Sequence, residues 1–390
     1  FTSYFDKAIG EPVRKVTYVP VEIEYTLPGD KTKYRKGPDE HDLALINRLA
    51  NEQPKDWFPT AKLPIEDMVH GNILAPRGII HYHQFYLPRA LHALSTMWRI
   101  AGEWPDVRVR GFLKFMVEQC FWGFGLVSRY VPSHFSQVNR YLPNVFYIPA
   151  NIVEISPWYI LDGKYKRLQK MLIAQQLPAS HQVAISTASS LRLPIPDKSV
   201  DYIYTDPPFG DAIPYGDLNL LIEAWHNLFS NLEGEVLLDK KRNKSLPVYS
   251  DLMRRAFTEY YRVLKPGRWM TVVFHNSKNL VWTAIQEAIG NAGFVVADVR
   301  TLDREQGSFK QVTAAGAVKK DLVISCYKPN GGLEERFKLE AGTEEGVWDF
   351  VRTHLKQLPV FVSKDGQAEI IAERQNYLLF DRMVAFHVQR

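Results

Sequence analysis

Apolar residues recur along the chain with two different periods, and the helical period dominates the first part. Asp42 to Leu49 predicts a helix, whereas Val16 to Tyr25 alternates as a strand does. Two longer apolar stripes predict core helices: Leu87, Leu91, Leu94, Met97 and Trp98, then Phe112, Phe115, Met116, Gln119 and Trp122. Residues 1–180 are therefore predicted to form a helical and loop-rich region.

Strands and helices alternate after residue 181. The predicted strands are Val183 to Ser186, Val200 to Thr205, Trp269 to Phe274, Phe294 to Val299 and Leu322 to Tyr327. The predicted helices between them are Asp217 to Phe229, Leu252 to Leu264 and Leu280 to Ala292. This alternation predicts an α/β doubly wound sheet in residues 181–330. Gly267 and Gly293 are each predicted to end the preceding helix.

Residues 331–390 predict a small α+β appendage. Trp348 to Leu358 and Asn376 to Val388 have helical periodicity, and Asp365-Gly366 marks the tip of a hairpin between Phe361 and Ile371. Helix, hairpin and helix in this order fit a winged-helix-like module. Simple packing of these elements against the preceding domain is the alternative.

Composition narrows the class of protein only modestly. The chain has 390 residues, of which 46% are hydrophobic, and this suffices for a sizeable core. No uninterrupted apolar run is long enough for a membrane span. Two cysteines far apart argue against a disulfide framework or a metal site, and a cytoplasmic location is expected. The net charge of +5 is compatible with a polyanionic partner.

The clearest chemical signal is the segment Thr205-Asp206-Pro207-Pro208-Phe209-Gly210, which ends the predicted strand Val200 to Thr205. Ligands of open α/β sheets bind beyond the carboxyl ends of strands, so we expect a site here. Asp206 and the Pro207 carbonyl are acceptors, and neither proline has an N–H to compete with them. Phe209 offers a flat stacking face. The segment suits a planar ring with an exocyclic amino group, and a proline-rich turn without chemistry is the alternative.

The four residues Asp206-Pro207-Pro208-Phe209, called the tetrad below, resemble a motif of DNA amino-methyltransferases that use S-adenosylmethionine. Further segments that carry the resemblance are Gly210 to Trp225, Tyr261 to Trp269 and Gly307 to Thr313. The chain is most similar to the zinc-ribbon-containing DNA methylases of restriction-modification and phage-defence systems. The resemblance implies a Rossmann-like methyltransferase sheet, of which the predicted strands are the later ones and the last is antiparallel. The zinc ribbon itself is missing, because the sequence has two cysteines.

The resemblance also implies a reaction, which is methyl transfer to N6 of an adenine flipped out of the duplex. Asp206 and the Pro207 carbonyl would orient the amino nitrogen, with no covalent enzyme intermediate. The residues of this catalytic loop are Asp206, Pro207, Pro208 and Phe209, and those that would line the base pocket or stabilise the loop are Gly210, Tyr215 and Asn219. Cytosine N4, RNA, a protein amide and a non-catalytic DNA-binding subunit are the alternatives.

The cofactor half of such a site has no counterpart in the sequence. Trp122-Gly123-Phe124-Gly125 has glycines, but it ends a helical run instead of following a strand. Thr187 and Asp206 remain as candidates for cofactor contact. Because the family's glycine loop precedes its Asp-Pro-Pro-Phe segment, and because no initiating methionine is present, we expect a C-terminal portion of a longer enzyme or the help of further protein chains.

Candidate DNA contacts lie in three places. Aromatic, amide and arginine side chains are interleaved between residues 128 and 168, as on surfaces that bind nucleic acid. A dense basic cluster occupies residues 240–244. The third place is the segment Ser308 to Thr313, which matches a segment of the family that the chain resembles. Ordinary loop packing and solvation are the alternatives. The candidates are Arg129, Asn139, Arg140, Lys240, Lys241, Arg242, Lys310 and Gln311.

Overall fold

The protein is described by a computed structural model that divides it into two compact units. It describes residues 1–68, 71–133, 135–136, 146–174, 183–211, 213–276, 278–303, 320–329, 343–358, 362–364, 367–369, 374–376, 379–380 and 383. Unit 1 comprises Phe1–Val183 and Pro214–Leu232. Unit 2 comprises Ala184–Ile213 and Glu233–Arg390. The helix that follows the tetrad therefore belongs to unit 1, and the tetrad itself to unit 2.

Unit 1 consists mainly of helices, with three short antiparallel strand pairs. The strands are β1 (Thr2–Asp6), β2 (Glu11–Lys15), β3 (Ile23–Tyr25), β4 (Tyr34–Lys36), β5 (Tyr130–Val131) and β6 (Phe135–Ser136). The helices are α1 (Glu40–Asn51), α2 (Gly71–Leu74), α3 (Pro88–Gly102), α4 (Val107–Glu118), α5 (Pro157–Ala174) and α6 (Tyr215–His226). The predicted helix at Asp42 to Leu49 is confirmed by α1, with Asp39 as its capping residue.

The core of unit 1 is aromatic. Trp225 of α6 is 1% exposed, stacks on Phe121 with ring centroids 5.1 Å apart, and donates a hydrogen bond from Nε1 to the Tyr86 hydroxyl at 3.2 Å. The α3 stripe of Leu91, Leu94 and Trp98 is buried, as predicted. A buried pair of polar side chains also connects β1 to the rest of unit 1, because Asp6 Oδ2 lies 2.8 Å from His83 Nε2.

Two predictions for unit 1 are wrong in detail. Phe112 and Phe115 of α4 are each 45% exposed, while Val117 faces the core, because α4 carries apolar residues on more than one face and periodicity alone does not select among them. Of the strand predicted from Val16 to Tyr25, only β3 forms, because Pro20 has no N–H to donate to a neighbouring strand.

Unit 2 is built on a four-stranded mixed sheet. Its elements are β7 (Val200–Thr205), α7 (Leu246–Val263), β8 (Leu264–Phe274), α8 (Asn279–Asn291), β9 (Val295–Asp303), β10 (Lys320–Tyr327), α9 (Glu344–Gln357), β11 (Val362–Lys364) and β12 (Gln367–Glu369). The strand order is β7-β8-β10-β9, with β7 parallel to β8 and with β10 antiparallel to both of its neighbours. The predicted α/β class and the antiparallel final strand are confirmed.

Helices cover this sheet and bury its apolar residues. Tyr249 and Phe257 of α7 and Ile285 of α8 pack with Met270 and Phe274 of β8, which alternate with outward residues as a strand requires. On α9, Phe350 joins a second buried cluster with Val295 and Tyr327, and the Tyr327 hydroxyl lies 2.8 Å from His354 Nδ1. The predicted appendage helix thus packs on the sheet, and the predicted hairpin is present as β11 and β12. Its tip and most of the helix predicted from Asn376 to Val388 lie outside the described residues.

Element bounds differ from the sequence prediction at several places. Residues 183–189 have no regular structure and are exposed, so no strand forms at Val183 to Ser186. Helix α7 begins six residues before Leu252 because Pro247 favours a helix start. It ends at Val263, and Gly267, with φ of +73°, lies inside β8 where the register with β7 shifts. Gly293, with φ of +103°, does follow α8 as predicted.

Among the described residues, no strand pairs with the second edge of β7. Tyr202 and Tyr204 of this strand are 53% and 65% exposed. No helix in the described part of the chain is long and apolar enough to cross a membrane.

Candidate functional site

The tetrad forms the loop at the carboxyl end of β7, where the sequence predicted a site. Asp206 is exposed, Pro207 is buried, and Phe209 is half-buried. Gly210 closes the loop in the left-handed region, with φ of +69°, and its N–H donates to the Pro208 carbonyl at 3.0 Å. The two prolines stiffen this turn, because each ring fixes its own φ.

Three successive carbonyl oxygens of this loop accept hydrogen bonds from three different parts of unit 2. The Tyr249 hydroxyl of α7 donates to the Pro208 carbonyl at 2.7 Å, and Asn276 Nδ2 donates to the Phe209 carbonyl at 2.8 Å. The Leu238 N–H donates to the Gly210 carbonyl at 3.2 Å. In the part of the chain that the structure describes, no group donates to the carbonyl of Pro207. The Asp206 carboxylate and the Pro207 carbonyl are thus consecutive acceptors in sequence at the start of the loop.

Phe209 is held at the same end of the sheet by aromatic contacts. Its ring meets Phe274, the last residue of β8, edge to face with centroids 5.4 Å apart. His275 lies 6.0 Å from the same ring, and its Nδ1 is 3.0 Å from Asp321 Oδ1. The Phe209 ring is thus packed against Phe274, and the residue as a whole is half-buried.

Gly210 is needed for steric as well as conformational reasons. A Cβ at this position would lie 2.9 Å from Asn276 Nδ2 and 3.3 Å from both Leu238 Cδ1 and Val281 Cγ1. Any side chain here would therefore push on the donor that holds the Phe209 carbonyl.

The basic cluster at residues 240–244 separates into exposed and buried members. Lys240 and Lys241 are exposed, whereas Lys244 is 7% exposed and the Arg242 side chain 9% exposed. Arg242 Nη1 lies 3.3 Å from Asp239 Oδ2, and Lys244 Nζ donates to the Glu235 carbonyl. Burial lowers the pKa of Lys244, and the Glu235 carboxylate opposes this. Arg242 and Lys244 thus brace a loop whose Leu238 N–H holds Gly210.

The other predicted site residues belong to several different elements. Tyr215 is the first residue of α6 and Asn219 is exposed on the same helix, both in unit 1. Thr187 is exposed in a segment of unit 2 without regular structure, so it does not end a strand. Arg129 is half-buried and pairs through a bridge with Ile152. The remaining candidates, which lie outside the described residues, are Asn139, Arg140, Lys310 and Gln311.

Sequence reasoning missed the residues that support the tetrad. Asn276 follows β8, and a polar residue just beyond a strand parallel to β7 was a usable signal, because parallel strands end at the same edge of a sheet. Tyr249 was not identified as a supporting residue because α7 was predicted to begin at Leu252, three residues after it. Leu238 acts through its backbone, and no residue type signals that.

The described residues do not form a cradle for S-adenosylmethionine. None of the described strands leads through a glycine-rich loop into a helix in the manner of a nucleotide site. The Trp122 to Gly125 segment is buried, and a Cβ at Gly123 would lie 2.8 Å from Ile160 Cδ1, so its glycine serves close packing. No group of His, Cys, Asp and Glu suited to a metal ion occurs among the described residues.

No protein-family model and no curated protein matches the chain. A provisionally named DNA modification methylase of Thermus thermophilus, complexed with S-adenosyl-L-methionine, is 15% identical over 40% of this chain and 60% of its own, with a TM-score of 0.22. The [4+2]-cyclase SpnF is 15% identical over 47% of this chain and 69% of its own, with a TM-score of 0.22. A SAM-dependent methyltransferase of Methanosarcina mazei is 12% identical over 42% of this chain and 78% of its own, with a TM-score of 0.22.

These matches are partial as well as distant. The chain spans 58% and 60% of the length of the first two solved structures that it matches. The TM-scores of these two solved structures, 0.21 and 0.22, are too low to support a conclusion about the activity of this chain.

Proposed function

We propose that this chain is the acceptor-binding part of an S-adenosylmethionine-dependent methyltransferase that acts on the N6 amino group of adenine in DNA. The observation that carries the proposal is the pair of adjacent acceptors at the end of β7. Asp206 is exposed, and the next carbonyl, that of Pro207, receives no hydrogen bond from the described residues. An exocyclic amino group has two N–H donors, which match this pair.

The roles of the loop residues follow from this match. Hydrogen bonds from the amino group to Asp206 and to the Pro207 carbonyl concentrate electron density on the nitrogen, which is the nucleophile. The half-buried Phe209 ring stacks on the base. Because the amino group of a stacked base is out of reach of any bound methyl donor, the base has to leave the duplex.

S-adenosylmethionine is the methyl donor in this proposal, and the resemblance of the tetrad to amino-methyltransferases supports it. The contacts of its methionine and ribose parts are not assigned to the described residues, because these form no cradle. Asp206 is the one residue of the loop proposed for contact with both the acceptor and the donor. The segment that completes the cofactor site is expected from further sequence or from another chain.

Lys240 and Lys241 are the better candidates within the basic cluster for contact with DNA phosphates. They are exposed at the tip of the loop that holds Gly210, whereas Arg242 is engaged with Asp239. Removing one phosphate contact is expected to weaken binding to all DNA sequences alike and to reduce its salt dependence.

A non-catalytic DNA-binding subunit is the second candidate. The observation that favours it is the edge of β7, which pairs with no strand among the described residues. Salt-sensitive DNA binding without binding of S-adenosylmethionine would support this candidate.

The decisive experiment is transfer of a radiolabelled methyl group from S-adenosylmethionine to unmethylated DNA, with RNA and protein as parallel acceptors. Digestion of the product to nucleosides separates N6-methyladenine from N4-methylcytosine. Asp206→Ala removes the acceptor and is expected to lower the rate about 100-fold or more, in the range for loss of a group that acts on the reacting nitrogen. Asp211→Ala is the matched control, because Asp211 is also exposed, five positions on, and pairs with Lys278. Wild-type rates in Asp206→Ala would contradict the proposal. So would no transfer to DNA by the wild type once it binds S-adenosylmethionine, alone or together with the chain that completes the cofactor site.

A further inference from the structure

Tyr249 and Asn276 hold the tetrad from two elements that are distant from it in sequence. Tyr249 lies 41 positions after Pro208 and Asn276 lies 67 positions after Phe209, and their donors reach the carbonyls of these residues at 2.7 and 2.8 Å. Neither side chain is one of the acceptors offered to the substrate. Their effect on the site is therefore through the backbone of the loop.

Both donors are themselves fixed. Tyr249 is completely buried among the apolar residues of α7, α8 and the sheet, so its hydroxyl has one position available. Asn276 Oδ1 accepts a hydrogen bond from the Lys278 N–H at 2.7 Å. Because the oxygen end of this amide is taken by a backbone N–H, its NH2 end has to face the Phe209 carbonyl.

These two hydrogen bonds restrain the backbone that follows the Pro207 carbonyl. The pyrrolidine ring of Pro208 fixes its φ, and the hydrogen bonds to its carbonyl from the Tyr249 hydroxyl and from the Gly210 N–H restrain its ψ. With the next peptide held by Asn276, the plane between Pro207 and Pro208 has little freedom left. The acceptor that would meet the amino group is thus aimed by residues that never touch it.

We propose that Tyr249 and Asn276 are positioning residues, which hold the Pro207 carbonyl in the direction needed to accept from the amino group of the base. This inference rests on the proposed function. Under this inference Tyr249 and Asn276 affect the rate of methyl transfer in addition to packing and supporting the loop. A displacement of reacting groups by about 1 Å costs up to about 100-fold in rate, so loss of either hydrogen bond should act on kcat.

The test compares Tyr249→Phe and Asn276→Asp with Tyr327→Phe in steady-state methyl transfer to DNA. Tyr249→Phe removes only the hydroxyl, and Asn276→Asp keeps the acceptor for Lys278 but turns the donor into a second acceptor. Tyr327→Phe is the matched control, because Tyr327 is equally buried in unit 2 and its hydroxyl is also hydrogen-bonded, to His354 at 2.8 Å. Thermal unfolding of each variant reports on its fold.

We expect Tyr249→Phe to lower kcat about 10-fold and Asn276→Asp more, with KM for DNA within about twofold of wild type. Tyr327→Phe is expected to lower thermal stability by a similar amount and to leave kcat unchanged. Equal kcat in Tyr249→Phe and wild type, or an equal loss in Tyr327→Phe, overturns the inference alone. A wild type that binds S-adenosylmethionine, alone or with the chain that completes the cofactor site, but does not methylate DNA overturns the proposed function, and this inference with it.

Discussion

The substitution Gly210→Ala tests the geometry of the loop without any assumption about its activity. It adds one methyl group at a position with φ of +69°, where that carbon would lie 2.9 Å from Asn276 Nδ2. The left-handed backbone costs a residue with a Cβ about 1–2 kcal/mol. Displacing the Asn276 amide would also remove its hydrogen bond to the Phe209 carbonyl, which contributes about 1 kcal/mol. The expected loss in unfolding free energy of unit 2 is therefore about 2–3 kcal/mol.

Hydrogen exchange of the β8 amides, followed by mass spectrometry in increasing urea, measures this loss for unit 2 separately. Gly234→Ala is the control within the same unit, because a Cβ at Gly234 meets nothing within 4 Å and its φ is not in the left-handed region. It should be as stable as wild type or slightly more so. A difference of less than about 0.5 kcal/mol between Gly210→Ala and Gly234→Ala would refute the assigned backbone geometry.

Two further predictions concern buried groups away from the tetrad. Burial opposes ionisation of Asp6, but its hydrogen bond with His83 and the charge of that ring outweigh burial and lower the pKa of Asp6 to about 2. The stabilisation by this carboxylate is thus complete above its ordinary pKa of 3.8 and is lost as the pH falls through about 2. Asp6→Asn should lower the melting temperature of unit 1 at pH 6, because it removes about 3 kcal/mol of unfolding free energy. The difference in melting temperature between variant and wild type should shrink below about pH 4. A difference that does not change with pH would contradict the lowered pKa of Asp6. Burial also raises the pKa of the Cys120 thiol to about 12 and raises that of Cys326. Neither cysteine should react with a disulfide reagent at about pH 8 until the protein is unfolded, and rapid labelling of either one in the native protein would show that it is accessible.

The local elements and the kind of chemistry at the end of β7 follow from the amino-acid sequence alone. Strong alternation in β8 and β10, and the helical periods of α3 and α8, depend on neighbouring residues only, so they could be predicted. Asp206, two prolines and an aromatic ring in one short segment likewise carry their acceptor chemistry wherever the chain places them. The glycine after Asn291-Ala292 was predictable for the same reason, since the end of a helix is a local event.

Long-range packing, in contrast, determines which groups support that segment and which basic residues are exposed. Tyr249, Asn276 and the Leu238 N–H approach the loop because β8 lies beside β7 and α7 packs on the sheet, and such long-range contacts leave no local pattern. The same holds for the basic cluster, in which burial separates Arg242 and Lys244 from Lys240 and Lys241 although all four look alike in sequence. Periodicity predicts that a face is apolar, but packing against other elements determines which face is buried, as α4 shows.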